Sequence, residues 1–459
     1  MAKLFKIIRM CKDNVGKCVN LWHKQCVNDM EELMQYVWAH RLWPTDGMST
    51  VDGRPVQVLD PGCLNRNAGP DFFNAKVKID GRIWCGNVEI HVRATDWHRH
   101  GHHHDRAYDS VILHVVERDD CEICRPGGEV IPQMKMPCAR DFAMRYGAFV
   151  NNSAQELACA RELATVSPMY LRDWIDAMAF ERINAKADRV EGWLERFSGS
   201  WEDAAYVTLA RALGAGVNGD AFERLALSVP LKFMLRHADS RLSVEALLFG
   251  QSGLLPDGDG GCGGYASELS GEYRFLAGKF SLNPPSDLAW RMSRMRPAAF
   301  PHRRVALLAS MIADGFNVMQ KVLDAETEED ARAIFDNVTL SGYWLDHHTF
   351  ARGSDRRVSS VALGRQTVDM LIINVVVPLL VAYGRSVSDA SLTDRAVDIL
   401  EHLPAERNSV VGVFERAGIK CGDAFVSQAL IELRREYCDA RKCLYCRIGH
   451  RLLAAKVKP

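Results

Sequence analysis

The sequence carries almost no net charge: 57 Lys and Arg stand against 58 Asp and Glu, giving −1 at pH 7. So even a balance excludes a global field that gathers nucleic acid or an anionic membrane, and leaves only local basic grooves. Long apolar runs are also missing. The longest, Leu371 to Tyr383, is interrupted by Asn374 and Pro378. It is too short to span a bilayer and reads as a buried helix, so no membrane partner is expected. The N-terminal stretch has scattered charges and no apolar core followed by a small-residue cleavage site. No signal peptide is therefore expected, and a cytoplasmic location is. There is no internal repeat, which excludes a solenoid.

Several catalytic signatures are absent too. The run GDGGCGG at 258–264 has no Lys-Ser/Thr after it, so it is not a phosphate-binding P-loop. There is no helical H-E-x-x-H pair and no nucleophile elbow. Fourteen cysteines in 459 residues are too dilute for a small secreted disulfide scaffold, so they read as free thiols or metal ligands.

What the chain does have is concentrated in residues 65–116, which hold seven of its 15 histidines. In Val88 to Arg93, Val88, Ile90 and Val92 alternate with Glu89, His91 and Arg93. A strand places alternate side chains on opposite faces, so Glu89 and His91 share one face and can reach the same ion or water. Asp71 precedes a second alternating run, Ala75, Val77 and Ile79 against Lys76 and Lys78. A turn at Asp80-Gly81 pairs the two runs as a hairpin, which brings Asp71 and Glu89 toward one point. Asp96, His98, His100, His102, His103, His104 and Asp105 follow. A continuous apolar strand, Val111 to Val116, then carries His114.

Upstream, Met30 to Trp43 has apolar residues at helical spacing and Glu31 and Glu32 in its first turn, with Pro44 and Gly47 to end it. Val56 to Leu59 is a short strand. From about residue 150 the period becomes helical, as in Leu171, Trp174, Ile175, Met178 and Ile183. Asp257 to Gly264 reads as a loop. These patterns predict an α+β protein: an N-terminal extension (1–28), a small mixed-sheet domain with the Asp/Glu/His cluster (29–145), and a large all-α region ending in a Cys-rich segment (146–459).

The runs GPDFxNA, WxGNVEIH, DWxxHxHHxD and VILHVV resemble the bacterial domain-of-unknown-function 2851 family. EALLFGQSGLL (245–255), RMRPAAFP (294–301), INVVVPLL (373–380) and YCDARKCLYCRIG (437–449) agree. That resemblance implies no activity. Within it, Asp71, Glu89 and His91 resemble the PD-(D/E)XK nuclease pattern, with His91 where a Lys is usual. The order helix, three strands, connector, strand also suits that restriction-endonuclease-like core.

The likeness to the PD-(D/E)XK pattern, as distinct from the family resemblance, implies a metal-dependent phosphodiesterase or nuclease acting on nucleic acid. Asp71 and Glu89 would hold Mg²⁺ or Mn²⁺, and His91 would orient or deprotonate water. A second reading takes His91, His98, His102, His103, His104, Asp105 and His114 as a surplus of ligands for Zn²⁺ in a hydrolase. A third is a non-catalytic binding or scaffold protein whose His cluster is structural or metal-stabilised. Elsewhere, Cys438, Cys443 and Cys446 are candidate ligands for zinc or an iron–sulfur cluster, with Cys421 or His450 as a possible fourth. Arg294, Arg296 and Arg303 are candidate phosphate contacts.

Overall fold

The computed structural model describes residues 30–455 apart from 44–46, 66, 126, 137–138, 151–155, 257–262, 287, 294, 297–298, 337, 351 and 354–362. The expected N-terminal extension, the Pro44 helix stop, most of the 257–264 loop and Arg294 therefore lie outside the described residues. The chain divides into two compact units. One comprises residues 1–167 and 437–459, the other 168–436. The architecture is α+β: the first unit contains a mixed sheet and the second is helical.

The first unit is built on a six-stranded sheet: β1 (Val56–Asp60), β2 (Cys63–Leu64), β3 (Phe72–Ile79), β4 (Arg82–Arg93), β5 (Val111–Arg118) and β6 (Gln133–Lys135). The order is β1-β3-β4-β5-β6, with β2 pairing to β3. β3 and β4 form the hairpin expected from Asp80-Gly81, and both turn residues take positive φ. Such a turn matches the right-handed twist of the strands it joins. β5 and β6 then run parallel to β4. A parallel neighbour needs a crossover, and here the His-rich segment supplies it.

The alternation read from sequence holds in β3, where Phe72, Ala75, Val77 and Ile79 are buried and Lys76 is exposed. In β4 it fails over the C-terminal half. Val88 to Val92 are all buried, Glu89 and His91 included. Parallel β5 covers one edge of this half, and elements lie over both faces, so neither face is solvated. Gly86 admits this packing: a Cβ there would stand 2.5 Å from Ile112 Cγ2 and 2.6 Å from the Ser110 carbonyl.

One helix, residues 30–39, closes the core, with Leu33, Met34, Val37 and Trp38 packed beside Phe72, Val88 and Ile90. It stops four residues earlier than its apolar spacing suggests. Arg41 takes φ 52° while Leu42 N–H donates to the Val37 carbonyl and Arg41 N–H to Trp38. This left-handed stop satisfies the last carbonyls, without the glycine that usually signals it. The Asp96–His104 stretch is not an open loop. Helix Asp96–Arg99 turns through Gly101 at φ 79° into the short helical turn His102–His104.

In the second unit the helix Pro168–Arg196 is the longest, followed by Trp201–Leu213, Ala215–Ser228, Arg241–Ser252, Gly263–Phe280 and Pro301–Ala313. Gly263 and Gly264, read as loop, open a helix. Residues 365–386 form one continuous helix through Asn374 and Pro378, the buried helix expected of this run. A π turn at Ile372–Val376 absorbs the proline, and Asn374 Nδ2 donates to the Met370 carbonyl at 2.8 Å. This helix is apolar and long enough by composition to cross a membrane, and 78% of its apolar window is buried inside the protein.

Candidate functional site

The crossover and the hairpin place their polar groups at one point. Asp71, just before β3, lies across from Glu89 on β4. Its backbone N–H donates to Glu89 Oε2 at 3.0 Å, and Asp71 Oδ2 accepts from Ile90 N–H at 2.9 Å. Gln35 Nε2, on the 30–39 helix, donates to Asp71 Oδ1 at 2.9 Å. The carboxylates are thus fixed by three donors, two of them backbone.

The imidazoles gather on the other side of Glu89. His91 Nε2 lies 3.4 Å from Glu89 Oε1, 3.2 Å from His100 Nδ1 and 3.3 Å from His102 Nε2. His102 Nε2 is also 3.2 Å from Glu89 Oε1. Behind His91, its Nδ1 meets His114 Nε2 at 2.9 Å. His91 and His114 are fully buried, His102 is half-buried and His100 is exposed, so the cluster opens to solvent on one side. Tyr108 stacks on His102 with ring centroids 3.9 Å apart, and Trp97 packs edge-on against His102. These aromatic walls hold the half-buried ring in place.

Burial dominates the electrostatics. It pushes Glu89 up to about 8, against the Asp71 N–H bond. It pushes Asp71 up to about 7 with help from Glu89. Glu31, one turn before Gln35, rises to about 8 through burial and then through the fields of Asp71, Glu89 and Asp96. Burial holds His91 well below the usual imidazole range, aided by His114, His102 and His100, and brings His114 down to about 3. His100 and His102 are lowered mainly by burial. Burial and mutual repulsion thus favour the neutral forms of the three carboxyls and of the imidazoles beside them.

His91 Nε2 faces Glu89 Oε1, His100 Nδ1 and His102 Nε2, and whether each presents a proton or a lone pair is set by its protonation and tautomer. Four such groups converging on one point also suit a cation. The 3.2–3.4 Å separations equal the edge of a tetrahedron with metal–nitrogen bonds of about 2.0–2.1 Å. His91, His100 and His102 offer ligand atoms that all lie within 4.8 Å of one another, and Glu89 Oε1 stands within 3.4 Å of His91 and His102.

The sequence expectations divide here. Asp71, Glu89, His91 and His114 are brought together. His98, His103 and His104 face one another, with His98–His103 and His103–His104 centroids 4.9 and 3.8 Å apart. They form no part of the tight donor set. Asp105 caps the turn that follows, accepting from Ala107 N–H at 2.9 Å. His102 belongs to the set. His100, passed over for its His-rich neighbours, also belongs. Glu31 was legible only as a first-turn acid; its i,i+4 spacing with Gln35 was the available signal that both face the hairpin.

In the second unit Arg303 is buried in the first turn of Pro301–Ala313, with no hydrogen-bond partner for its Nη1, while Arg296 is exposed. Cys421 belongs to that unit as well, its thiol 3.8 Å from the Asp423 carbonyl. His450 Nδ1 is hydrogen-bonded to the Tyr36 hydroxyl.

No curated protein and no solved structure matches the chain. A family model described as protein of unknown function (DUF2851) matches residues 31–409.

Proposed function

We propose that this chain, which belongs to the DUF2851 family, is a metal-dependent hydrolase of phosphodiester bonds in nucleic acid. The observation that carries the reading is the facing of His91 Nε2 by Glu89, His100 and His102, beside the buried Asp71 and Glu89 pair. His91, His102 and Glu89 would hold the cation, with His100 at the solvent side and Asp71 beside Glu89. A divalent ion there supplies positive charge to activate water and to offset charge on a leaving oxygen.

The rest is chemistry of the chain. His114 fixes the His91 ring through the 2.9 Å contact, which sets the tautomer that leaves Nε2 free. Asp71, fixed beside Glu89 by the Ile90 and Gln35 donors, would take a proton from water as general base. Glu31, raised by burial and by the fields of Asp71 and Glu89, is the candidate to hand a proton to a leaving oxygen. Arg99, largely exposed and 3.0 Å from Asp96, is placed to meet a phosphate at the mouth. The reading of a phosphodiester substrate over other esters rests on the likeness of Asp71, Glu89 and His91 to the PD-(D/E)XK pattern and on the order helix, strands, connector, strand along the chain. The open side, with His100 exposed, favours catalysis over a closed structural centre, in which four protein ligands fill the coordination sphere.

The test is cleavage of single- and double-stranded DNA and RNA with Mn²⁺, Mg²⁺ or Zn²⁺ supplied in turn. Wild-type protein is expected to cut in at least one metal, and Glu89→Gln and Asp71→Asn to lose activity by ~10³-fold or more, the scale on which preorganised charge acts. Gln is a close mimic of the protonated Glu89 present without metal, so the variant should keep its fold by circular dichroism. Metal-independent cutting, or full activity in Glu89→Gln, contradicts the proposal.

A further inference from the structure

A cavity of about 480 Å³ lies wholly within the second unit. That is the size of a small-metabolite site. Helix Pro168–Arg196 forms one wall. Its Arg182, Lys186, Arg189 and Trp193 line the cavity at i, i+4, i+7 and i+11, which puts all four on one helical face. Lys186 is fixed there by two neutral oxygens. Its Nζ donates to Gln428 Oε1 at 2.7 Å and to the Ile373 carbonyl at 3.2 Å. That carbonyl lies in the π turn Ile372–Val376, where Val377 N–H reaches back to the Ile372 carbonyl. The next N–H in this register would come from Pro378, which has none. Lys186 fills the gap. An ammonium carries three protons, so one remains for the cavity that the side chain lines.

The charges around the cavity do not all cancel. Arg182 Nη1 meets Glu432 Oε2 at 3.0 Å, and Arg435 Nε meets Glu436 Oε1 at 3.1 Å. Arg211 Nη1 meets both Asp220 and Glu223 at 2.7 Å. Glu406 accepts from Gln428 Nε2, at the other end of the amide from Lys186. Among the described residues, Lys186 and Arg189 enter no ion pair. Arg182 Nε shares the Gln428 oxygen with Lys186, at 2.6 Å. Burial holds the Lys186 amine well below the usual lysine range, with the Arg182 charge the next cause. Burial and then Arg211 lower Arg189. Both cations are short of counter-charge, which an anion in the cavity would supply. Lys186 is half-buried and Arg189 exposed, so the pair runs from the interior of the cavity to its mouth.

We propose that this cavity binds a small organic phosphate monoester, with its phosphate on Lys186 and Arg189 and its organic body against Val190, Trp193, Ala212 and Pro378. A phosphate monoester carries a charge of about −1.5 to −2 near neutral pH. That matches the two cations better than the single charge of a carboxylate does. Arg189 brings a planar fork of donors and Lys186 a point charge, and both kinds of group bind phosphate. The apolar part of the lining gives an organic ring a place out of water. The proposal does not rest on the metal centre of the first unit.

The experiment titrates phenyl phosphate, inorganic phosphate and phenylacetate into the full chain by calorimetry. A chelator is present, so that no metal in the first unit holds phosphate. Phenyl phosphate is expected to bind at one site, and the other two at least about tenfold more weakly. Lys186→Met and Arg189→Gln should each weaken phenyl phosphate by about tenfold or more. Glu406→Gln should leave its affinity unchanged or raise it. No binding of phenyl phosphate at about 10 mM overturns the proposal. So does equal binding of phenylacetate or inorganic phosphate, or undiminished affinity in the Lys186 and Arg189 variants. Arg189 is exposed, so its variant decides the matter if Lys186→Met fails to fold.

Discussion

Binding of a divalent ion to the His91–Glu89 centre should release protons, and the structure sets how many. Without metal, Glu89 titrates near 8 and Asp71 near 7. At pH 7 Glu89 is then about nine-tenths protonated and Asp71 about half. An ion needs Glu89 ionised and favours the charged form of Asp71, so binding releases roughly one and a half protons at pH 7 and about 0.1 at pH 9. The histidines add nothing at pH 7, because His91, His100 and His102 are all held below the usual imidazole range and are already neutral. Affinity therefore climbs as pH rises from 6 to 8 and levels off above. Calorimetric titration of Mn²⁺ or Zn²⁺ in buffers of different ionisation enthalpy reads the proton count directly. A site made only of ordinary histidines would release about a quarter of a proton per ring at pH 7 and progressively more as pH falls, the opposite end of the pH scale from the carboxyls. Release of less than about 0.3 proton at pH 7 would refute the assignment of a buried, protonated Glu89 as a ligand.

Other outcomes follow from the same contacts. His114→Phe should weaken metal affinity by roughly 10–100-fold, because it removes the partner that orients His91, and the same titration reads it. Without metal, the raised carboxyls make stability greatest below their ordinary values of 3.8 for Asp71 and 4.5 for Glu31 and Glu89, and lower it as pH rises through 7 to 8. The melting temperature of metal-free protein should thus fall from pH 6 to pH 9, and fall less in Glu89→Gln. Gly86→Ala should cost about 1–3 kcal/mol by overpacking against Ser110 and Ile112, read from the urea midpoint.

The hairpin was legible in the sequence because alternation and the Asp80-Gly81 turn point the same way. Asp71 and Glu89 followed from its register, which pairs Phe72 with Val88. The burial of His91 was not legible. Alternation assigns it a solvated face, and only the crossover packed over that face removes the water. Among the histidines, sequence counts ligands but cannot orient them. Gly101 at positive φ turns His102 inward while His98, His103 and His104 face one another. Glu31 depends on its nearness to Asp71 and Glu89, far away in the chain, and no local pattern carries such information.

Anomalous diffraction from crystals soaked in Mn²⁺ or Zn²⁺ tests the central claim most directly. The account predicts one strong peak within bonding distance of His91 Nε2, His102 Nε2 and Glu89 Oε1, lost in Glu89→Gln crystals. A site that stays empty under saturating metal, with His91 still bonded only to its neighbours, would contradict it.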